Sequence, residues 1–290
     1  TSKKKVAATR PPGRLCAVIL VERIKGYGMY GLLFTNGTLL TPKVASHLVE
    51  LEWDKVLISM DAASAETNDA IRSEGSHERI LKGLGYLLQA RAGADRPIVG
   101  VGCALTRQGM RELPDLVRMI GERGCDQLNL IRLVVYQSSQ RRFALGEEDT
   151  AALPSVIEAS LEIAADLGMV TNLADYLDQD MVDKIEQFDK VLLGSRTRAG
   201  AGASFWDSVC FEPFTNMVIH ANGLVGPCCM SGDDPVASMV DRTLEDMWYG
   251  AEFSALRAGI RNRELAPYCH ICDMNVFQDN QRLREIGSHL

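Results

Sequence analysis

Between residues 28 and 167, apolar runs of strand length alternate with segments of helical period, and this alternation restricts the fold more than any other property of the chain. Residues 28–34, 55–60, 97–105 and 126–134 read as buried strands rich in Val, Ile and Leu. Residues 15–25 read as a helix with Ala17, Val18, Leu20, Val21 and Ile24 on its apolar face. Thr41-Pro42 opens a second helix to about residue 52, Thr at the N-cap and Pro in the first turn. Further helices are expected over 76–90, 110–123 and 147–167, with a loop after residue 60 and a mixed helical stretch over 170–193. Strands joined through helices run parallel, so the fold class is α/β: a half or three-quarter barrel, or an open sheet. Both bind ligands at the C-terminal ends of their strands. That singles out Thr35-Asn36, Ser59-Met60-Asp61 and Leu105-Thr106.

A chain of 290 residues can bury one large core or two modest ones, and 46% hydrophobic with 24% charged residues is ordinary for a globular protein. A net charge of −7 argues against nucleic acid and anionic membranes as partners, and Lys3–Lys5 and Arg141-Arg142 read as solvated surface. No apolar run approaches the ~20 residues that span a bilayer, and no apolar stretch of a secretion signal follows the first five residues. The expected location is cytoplasmic, where thiols bind metal rather than pair.

Five of the eight cysteines fall in the last 81 residues. Cys210 is followed by a hairpin signal, residues 217–220 and 224–227 about Asn222-Gly223, then Cys228-Cys229. Helices expected at about 244–249 and 252–263 separate it from Cys269-His270-Ile271-Cys272. A Cys-x2-Cys knuckle aims two sulfurs the same way, and two further cysteines complete a four-sulfur shell of the kind an iron–sulfur cluster or a structural zinc requires. Cys229 reads as a buried neighbour or a substitute for Cys228. Cys16, Cys103 and Cys125 have no partners at ligand spacing and read as core. His220 and His270 lie near the set without being needed by it, and Trp206, Phe211 and Phe214 read as packing for a small domain.

Together these features resemble the radical S-adenosylmethionine (radical SAM) superfamily with a C-terminal SPASM or twitch domain. The resemblance covers roughly residues 15–275. It rests on Leu33-Phe-Thr-Asn-Gly-Thr-Leu-Leu-Thr-Pro, Leu57-Ile-Ser-Met-Asp-Ala and Thr67-Asn-Asp-Ala-Ile-Arg72 in the first half. In the second half it rests on Cys210-Phe-Glu-Pro-Phe, Asn222-Gly-Leu-Val-Gly-Pro-Cys-Cys, Thr243-Leu-Glu-Asp-Met-Trp and Pro267-Tyr-Cys-His-Ile-Cys. It implies a partial TIM-like barrel over 15–193 after an irregular 1–14, a linker at 194–208, a SPASM/twitch domain at 209–276 and a tail at 277–290.

The family's Cys-x3-Cys-x2-Cys loop and Gly-Gly-Glu motif do not occur in this sequence, so the resemblance implies a barrel without its first two strands. The strand at 28–34 would then have an unpaired edge, an aggregation liability. By resemblance, Ser59 contacts the SAM carboxylate, Arg72 pairs with it, and Thr35 and Asn36 line the same end, which amounts to half of a SAM site. Cys210, Cys228, Cys269 and Cys272 match the single-cluster twitch pattern, implying one auxiliary 4Fe-4S cluster. The expected partners are a small-molecule or peptide substrate, selected by loops such as 136–146, and a reductant such as flavodoxin or ferredoxin. Three readings stand: a radical SAM enzyme, an inactive fragment keeping a structural cluster, and a zinc-binding module.

Overall fold

The computed structural model describes residues 13–133, 138–177, 210–233 and 235–262, with 264, 266 and 269. The chain forms two compact units, Thr1–Asp178 and Gln179–Leu290. The expected linker at 194–208 and tail at 277–290 lie outside the described residues, as do Trp206 and the side chain of Cys16.

The first unit runs α1 (Gly13–Gly26), β1 (Leu32–Thr35), α2 (Pro42–Glu50), β2 (Lys55–Ser59), α3 (Ala65–Ile71), α4 (Ser76–Arg91) and β3 (Ile98–Leu105). It continues through α5 (Arg107–Arg111), α6 (Leu113–Glu122), β4 (Gln127–Arg132), α7 (Glu147–Asp166) and β5 (Val170–Thr171). The strands form one parallel sheet in the order of the chain, β1-β2-β3-β4-β5. Sequential order with a helix between neighbours is the winding of a barrel wall.

One face of every central strand is apolar and packed on helices. Val56 and Ile58 on β2, Val99, Val101 and Cys103 on β3, and Leu128 and Leu130 on β4 are buried in the core. The helices answer with stripes at the helical period, Ile80, Leu84 and Leu87 on α4 and Leu113, Leu116, Val117 and Ile120 on α6. Cys103 and Cys125 are core residues, as expected, and burial pushes both thiols up, Cys125 to about 12. Helix α2 starts as the sequence indicates, with the Thr41 hydroxyl accepting from Val44 N at 3.3 Å.

Four expectations are corrected. The first strand begins at Leu32 rather than residue 28, because α1 unwinds through Gly28 at φ 69° with Gly28 N and Met29 N donating to Lys25 O and Ile24 O. The helix expected over 110–123 is two helices, since Pro114 sits in the first turn of α6 and cannot donate into a continuous ladder. The loop expected after residue 60 contains α3, whose N-cap Ser64 accepts from Thr67 N at 3.2 Å. A fifth strand, β5, stands at the start of the stretch expected to be helical, too short to show a period.

Two carboxylates fasten the unit. Asp54, 4% exposed, accepts from Gly31 N at 2.8 Å and Lys25 Nζ at 2.7 Å and pairs with Arg96, tying α1, β1 and β3 to the N-terminal end of β2. Glu112 accepts from Ser64 N at 2.7 Å, Ser64 Oγ at 2.9 Å and Thr67 Oγ1, clamping α3 to the start of α6. Desolvation raises the Glu112 pKa, but the Thr67 and Ser64 bonds outweigh it and hold the carboxyl below its ordinary range.

In the second unit, α8 (Glu212–Thr215) precedes an antiparallel sheet of β6 (Val218–Ile219), β7 (Leu224–Gly226) and β8 (Ala237–Ser238), then α9 (Leu244–Trp248) and α10 (Ala251–Asn262). Asn222-Gly223 makes the expected hairpin turn, with Gly223 at φ 81° and its N donating to His220 O at 2.8 Å. Strand β8 completes the sheet beyond the expected hairpin. Among the described residues, the buried core is Val225, Met247 and Phe253, flanked by Trp248. Arg257 stacks on Trp248, its guanidinium carbon 4.4 Å from the ring centre, and donates to Pro213 O and Trp248 O, binding α8 and α9 to α10.

Two glycines of α4 give a paired test. A Cβ on Gly83 would lie 2.2 Å from Gly37 O, whereas one on Gly85 meets nothing within 4 Å. Gly83→Ala should destabilise by roughly 1–3 kcal/mol and Gly85→Ala should stabilise by about 0.5–1 kcal/mol in urea unfolding. Because the folded pKa of Glu112 is depressed, its contribution is present above the unfolded glutamate pKa near 4.3 and is lost as pH falls through the folded value. Glu112→Gln should therefore cost about 1 kcal/mol at pH 7, a partly exposed site discounted for screening, and its gap from wild type should close in acid-unfolding curves below pH 4.

Candidate ligand face and cysteine centre

The face of the sheet opposite the helices carries a different chemistry. Side chains alternate across a strand, so Phe34, Leu57, Gly100 and Gln127 stand side by side on that face, and Ser59, Gly102 and Asn129 form the next rung toward the C-terminal ends. Strand β1 is the sheet's edge on this side, and Leu32 and Phe34 are 44% and 58% exposed. Gly100 and Gly102 open a furrow along β3. Gln127 folds into its lower part, where a Cβ on Gly100 would lie 2.4 Å from Gln127 Cγ. At Gly102 the furrow is clear, with Ile131 Cδ1 at 3.5 Å the contact a Cβ would meet. Gln127 is buried with its Nε2 unpartnered, a donor that the sequence pattern did not mark.

Ser59, the last residue of β2, is half-buried on the upper rung. Thr35 and Asn36 sit at the same end of β1, where their side chains shape the turn. Thr35 Oγ1 accepts from Gly37 N at 3.1 Å, and Asn36 Oδ1 accepts from Thr38 N at 3.2 Å and Thr38 Oγ1 at 2.9 Å. Arg72 stands at the C-cap of α3, one helix beyond Ser59, with its Nε 2.8 Å from Asp61 Oδ2. Asp61, among the strand-end positions singled out in the sequence, is a buried hub. Its Oδ1 accepts from Ala104 N at 2.8 Å and its own N donates to Asn68 Oδ1 at 3.1 Å. A carboxylate in a Ser-Met-Asp run gives no sequence sign that it will turn inward; only the neighbouring strand supplies the N–H that makes this tolerable.

A hollow of about 360 Å³ at the N-terminus of α7 is lined by Arg107, Arg111 and residues 146–149, which set Glu147, Glu148 and Asp149 against the two arginines. Asp149 accepts from Gly146 N at 2.9 Å and pairs with both arginines.

In the second unit, the chain leaves β7 into a tight turn that presents Cys228. Ser231, fully buried, donates from N and Oγ to Cys228 O at 3.2 and 2.7 Å, and a Cβ on Gly226 would lie 1.8 Å from Ser231 Oγ. Glycine at 226 is thus a requirement of the turn. Cys269 N donates to Ala266 O at 2.9 Å. Burial pushes the Cys269 thiol up to about 12, and charge on Cys210 and Cys228 pushes it the same way. Cys210, Cys228 and Cys269 are half-buried, and Cys229 is exposed. Among the described residues, no three His, Cys, Asp or Glu side chains already surround one metal ion; Cys272 lies outside them. Soft sulfurs whose ionised forms repel are the donor set that an iron–sulfur cluster or zinc stabilises as thiolates.

Residues 210–273, spanning all four cysteines of the spacing, match the SPASM family, an iron–sulfur cluster-binding domain. Over 99 residues the chain is 34% identical to "Mycofactocin maturase MftC" of Mycobacterium tuberculosis, covering 34% of this chain and 24% of that protein. It is 31% identical over 119 residues to the "Tungsten-containing aldehyde ferredoxin oxidoreductase cofactor-modifying protein" of Pyrococcus furiosus, covering 40% of this chain and 33% of that one. The matched stretch thus spans a third or less of these relatives. The fold matches SuiB of Streptococcus suis with a TM-score of 0.57 at 14% identity, over 83% of this chain and 53% of SuiB. It matches anSMEcpe, in a structure with AdoMet and a peptide, with a TM-score of 0.56 at 15% identity over 96% of this chain and 82% of that one. Among the described residues no helix is long and apolar enough to cross a membrane. Residues 210–273 thus match the SPASM iron–sulfur cluster-binding domain, and the chain shares its fold with SuiB and anSMEcpe.

Proposed function

We propose that this chain carries one auxiliary 4Fe-4S cluster on Cys210, Cys228, Cys269 and Cys272, and presents part of a SAM site on the inner face of its sheet. The observation that carries the first half is the match of residues 210–273, which include all four cysteines, to the SPASM iron–sulfur cluster-binding domain. The second half is supported by Ser59 and Asn129 flanking the clear furrow at Gly102, at the end of the sheet where parallel α/β folds bind ligands. In this reading Ser59 and Arg72 hold the SAM carboxylate, while Thr35 and Asn36 fix the turn that closes the same end. Reductive SAM cleavage and hydrogen abstraction would need a second, radical-generating cluster on a Cys-x3-Cys-x2-Cys loop, which this sequence does not contain, while the auxiliary cluster would accept an electron or anchor substrate. This chain's residues bind and orient: the furrow admits the ligand, the Ser59 hydroxyl and Arg72 guanidinium set its acidic end, and Leu57 and Phe34 keep the lower face apolar. A peptide is the substrate class we favour, from the peptide-bound structures of SuiB and anSMEcpe, and a flavodoxin or ferredoxin is the electron donor this chemistry requires.

Anaerobic reconstitution tests the cluster. The wild-type chain should take up about four iron and four sulfide and absorb broadly near ~400 nm. Cys228→Ser and Cys269→Ser should lose most of that iron, and Cys229→Ser should keep it. Stoichiometric zinc with no absorbance, or equal iron loss in Cys229→Ser, would overturn the assignment.

A further inference from the structure

The inner end of α3 is organised around a charge that no ligand supplies. Asp61 is 3% exposed, yet it is a carboxylate, and burying one without partners is prohibitive. Its two oxygens are divided: Oδ1 accepts from Ala104 N of β3, and Oδ2 forms an ion pair with Arg72, 2.8 Å from a Nε whose N–H is not aligned to donate to it. Its backbone is held as firmly. Asp61 N donates to Asn68 Oδ1, Asn68 Nδ2 donates to Ser76 Oγ at 3.1 Å, and Asn68 is fully buried. Gly109 of α5 packs on Asp61 O so closely that a Cβ would lie 2.3 Å away. Four elements, β3, α3, α4 and α5, thus hold Asp61 in place.

Arg72 is held at both ends of that contact. Its backbone N closes α3 on Asn68 O at 2.9 Å, and its Nε edge is drawn to Asp61, leaving a side chain 24% exposed. A guanidinium has a second edge, two terminal nitrogens in a planar fork matched to a carboxylate. Among the described residues that fork donates no hydrogen bond, and the contact with Asp61 runs through Nε.

We infer that Asp61 is a positioning residue: the buried carboxylate pins the Nε edge of Arg72 so that the opposite edge is presented, already oriented, to the carboxylate of an amino-acid-bearing ligand. This rests on the reading of Arg72 given under Proposed function and adds a residue that acts only through it. Two effects oppose each other. Pre-orienting a long side chain removes the rotamer loss that binding would otherwise incur, which strengthens capture. A negative charge beside the arginine also repels the arriving carboxylate, which weakens it. The sign of a charge-removing substitution therefore reads which effect governs.

Asp61→Asn keeps an oxygen for Ala104 N and removes the charge. Binding of SAM and of 5′-methylthioadenosine, which lacks the amino-acid end, would be measured by calorimetry on the full chain and its variants. The expected result is SAM binding weakened about tenfold in Asp61→Asn, 5′-methylthioadenosine unchanged within about twofold, and no further loss when Asp61→Asn is added to Arg72→Gln. Equal weakening of both ligands would make Asp61 a structural tie only. Tighter SAM binding would make it a repulsive counterweight, and a full effect persisting in the Arg72→Gln background would separate it from Arg72; each overturns the inference. Arg72→Lys, which retains the pair but not the fork, should lose SAM selectively even if Asp61→Asn does not fold, and full SAM affinity in it would overturn the inference alone. A wild-type chain that binds 5′-methylthioadenosine but shows no gain from the amino-acid end overturns the reading of Arg72, and the inference falls with it.

Discussion

A carboxylate withdrawn from water must find cations and N–H donors, and the first unit is built around two that do so at opposite ends of β2. Asp54 closes the N-terminal end and Asp61 the C-terminal end, each nearly inaccessible and each reaching a neighbouring strand or its approach. The hydrophobic core sets the layers, but apolar packing is non-directional and does not choose the height at which one strand stands beside the next. Directional bonds from Asp54 to Gly31 N and from Asp61 to Ala104 N do, because each is satisfied in one register only.

The two ends differ in what their cations have left to offer. At Asp54 the partners include Lys25 and Arg96 and the backbone of residue 31, so charge is balanced by three donors and nothing faces outward for a ligand. At Asp61 a single arginine supplies the cation, and half of its hydrogen-bonding perimeter remains for something else. The asymmetry agrees with the general division of parallel α/β folds into a stabilising floor and a binding rim. The inner face supports it: glycines on β3 remove bulk where Ser59 and Asn129 flank it, and the amide of Gln127 waits one rung lower.

Much of this was legible in the sequence where a physical period or a cap carried it. The stripe of α6, the Thr41-Pro42 start of α2 and the Asn222-Gly223 turn are local signals, and local geometry honours them. What escaped had no local signal. Helix α3 is largely polar and is fixed by the Glu112 clamp from 45 residues away, and β5 is two residues long and exists by pairing with β4. Asp61 was visible as a residue but not as a buried one, because its partners come from β3 and α3. The cysteine spacing was the reverse case: chemistry made it conspicuous, while the turn that carries Cys228 is held by Ser231 folding back beneath Gly226.

The core of the second unit carries a consequence for how the protein ages. Among the described residues its buried cluster is Val225, Met247 and Phe253, and the cysteines stand in the turns around that cluster rather than within it. Whatever its cysteines hold is then as much a rivet as a cofactor, since metal affinity and folding free energy are one quantity when the site does not exist in the unfolded chain. Exposure to oxygen would therefore act on this half of the molecule as a denaturant, releasing thiols and unfolded backbone together while the barrel wall, cemented by its own interior, stays intact.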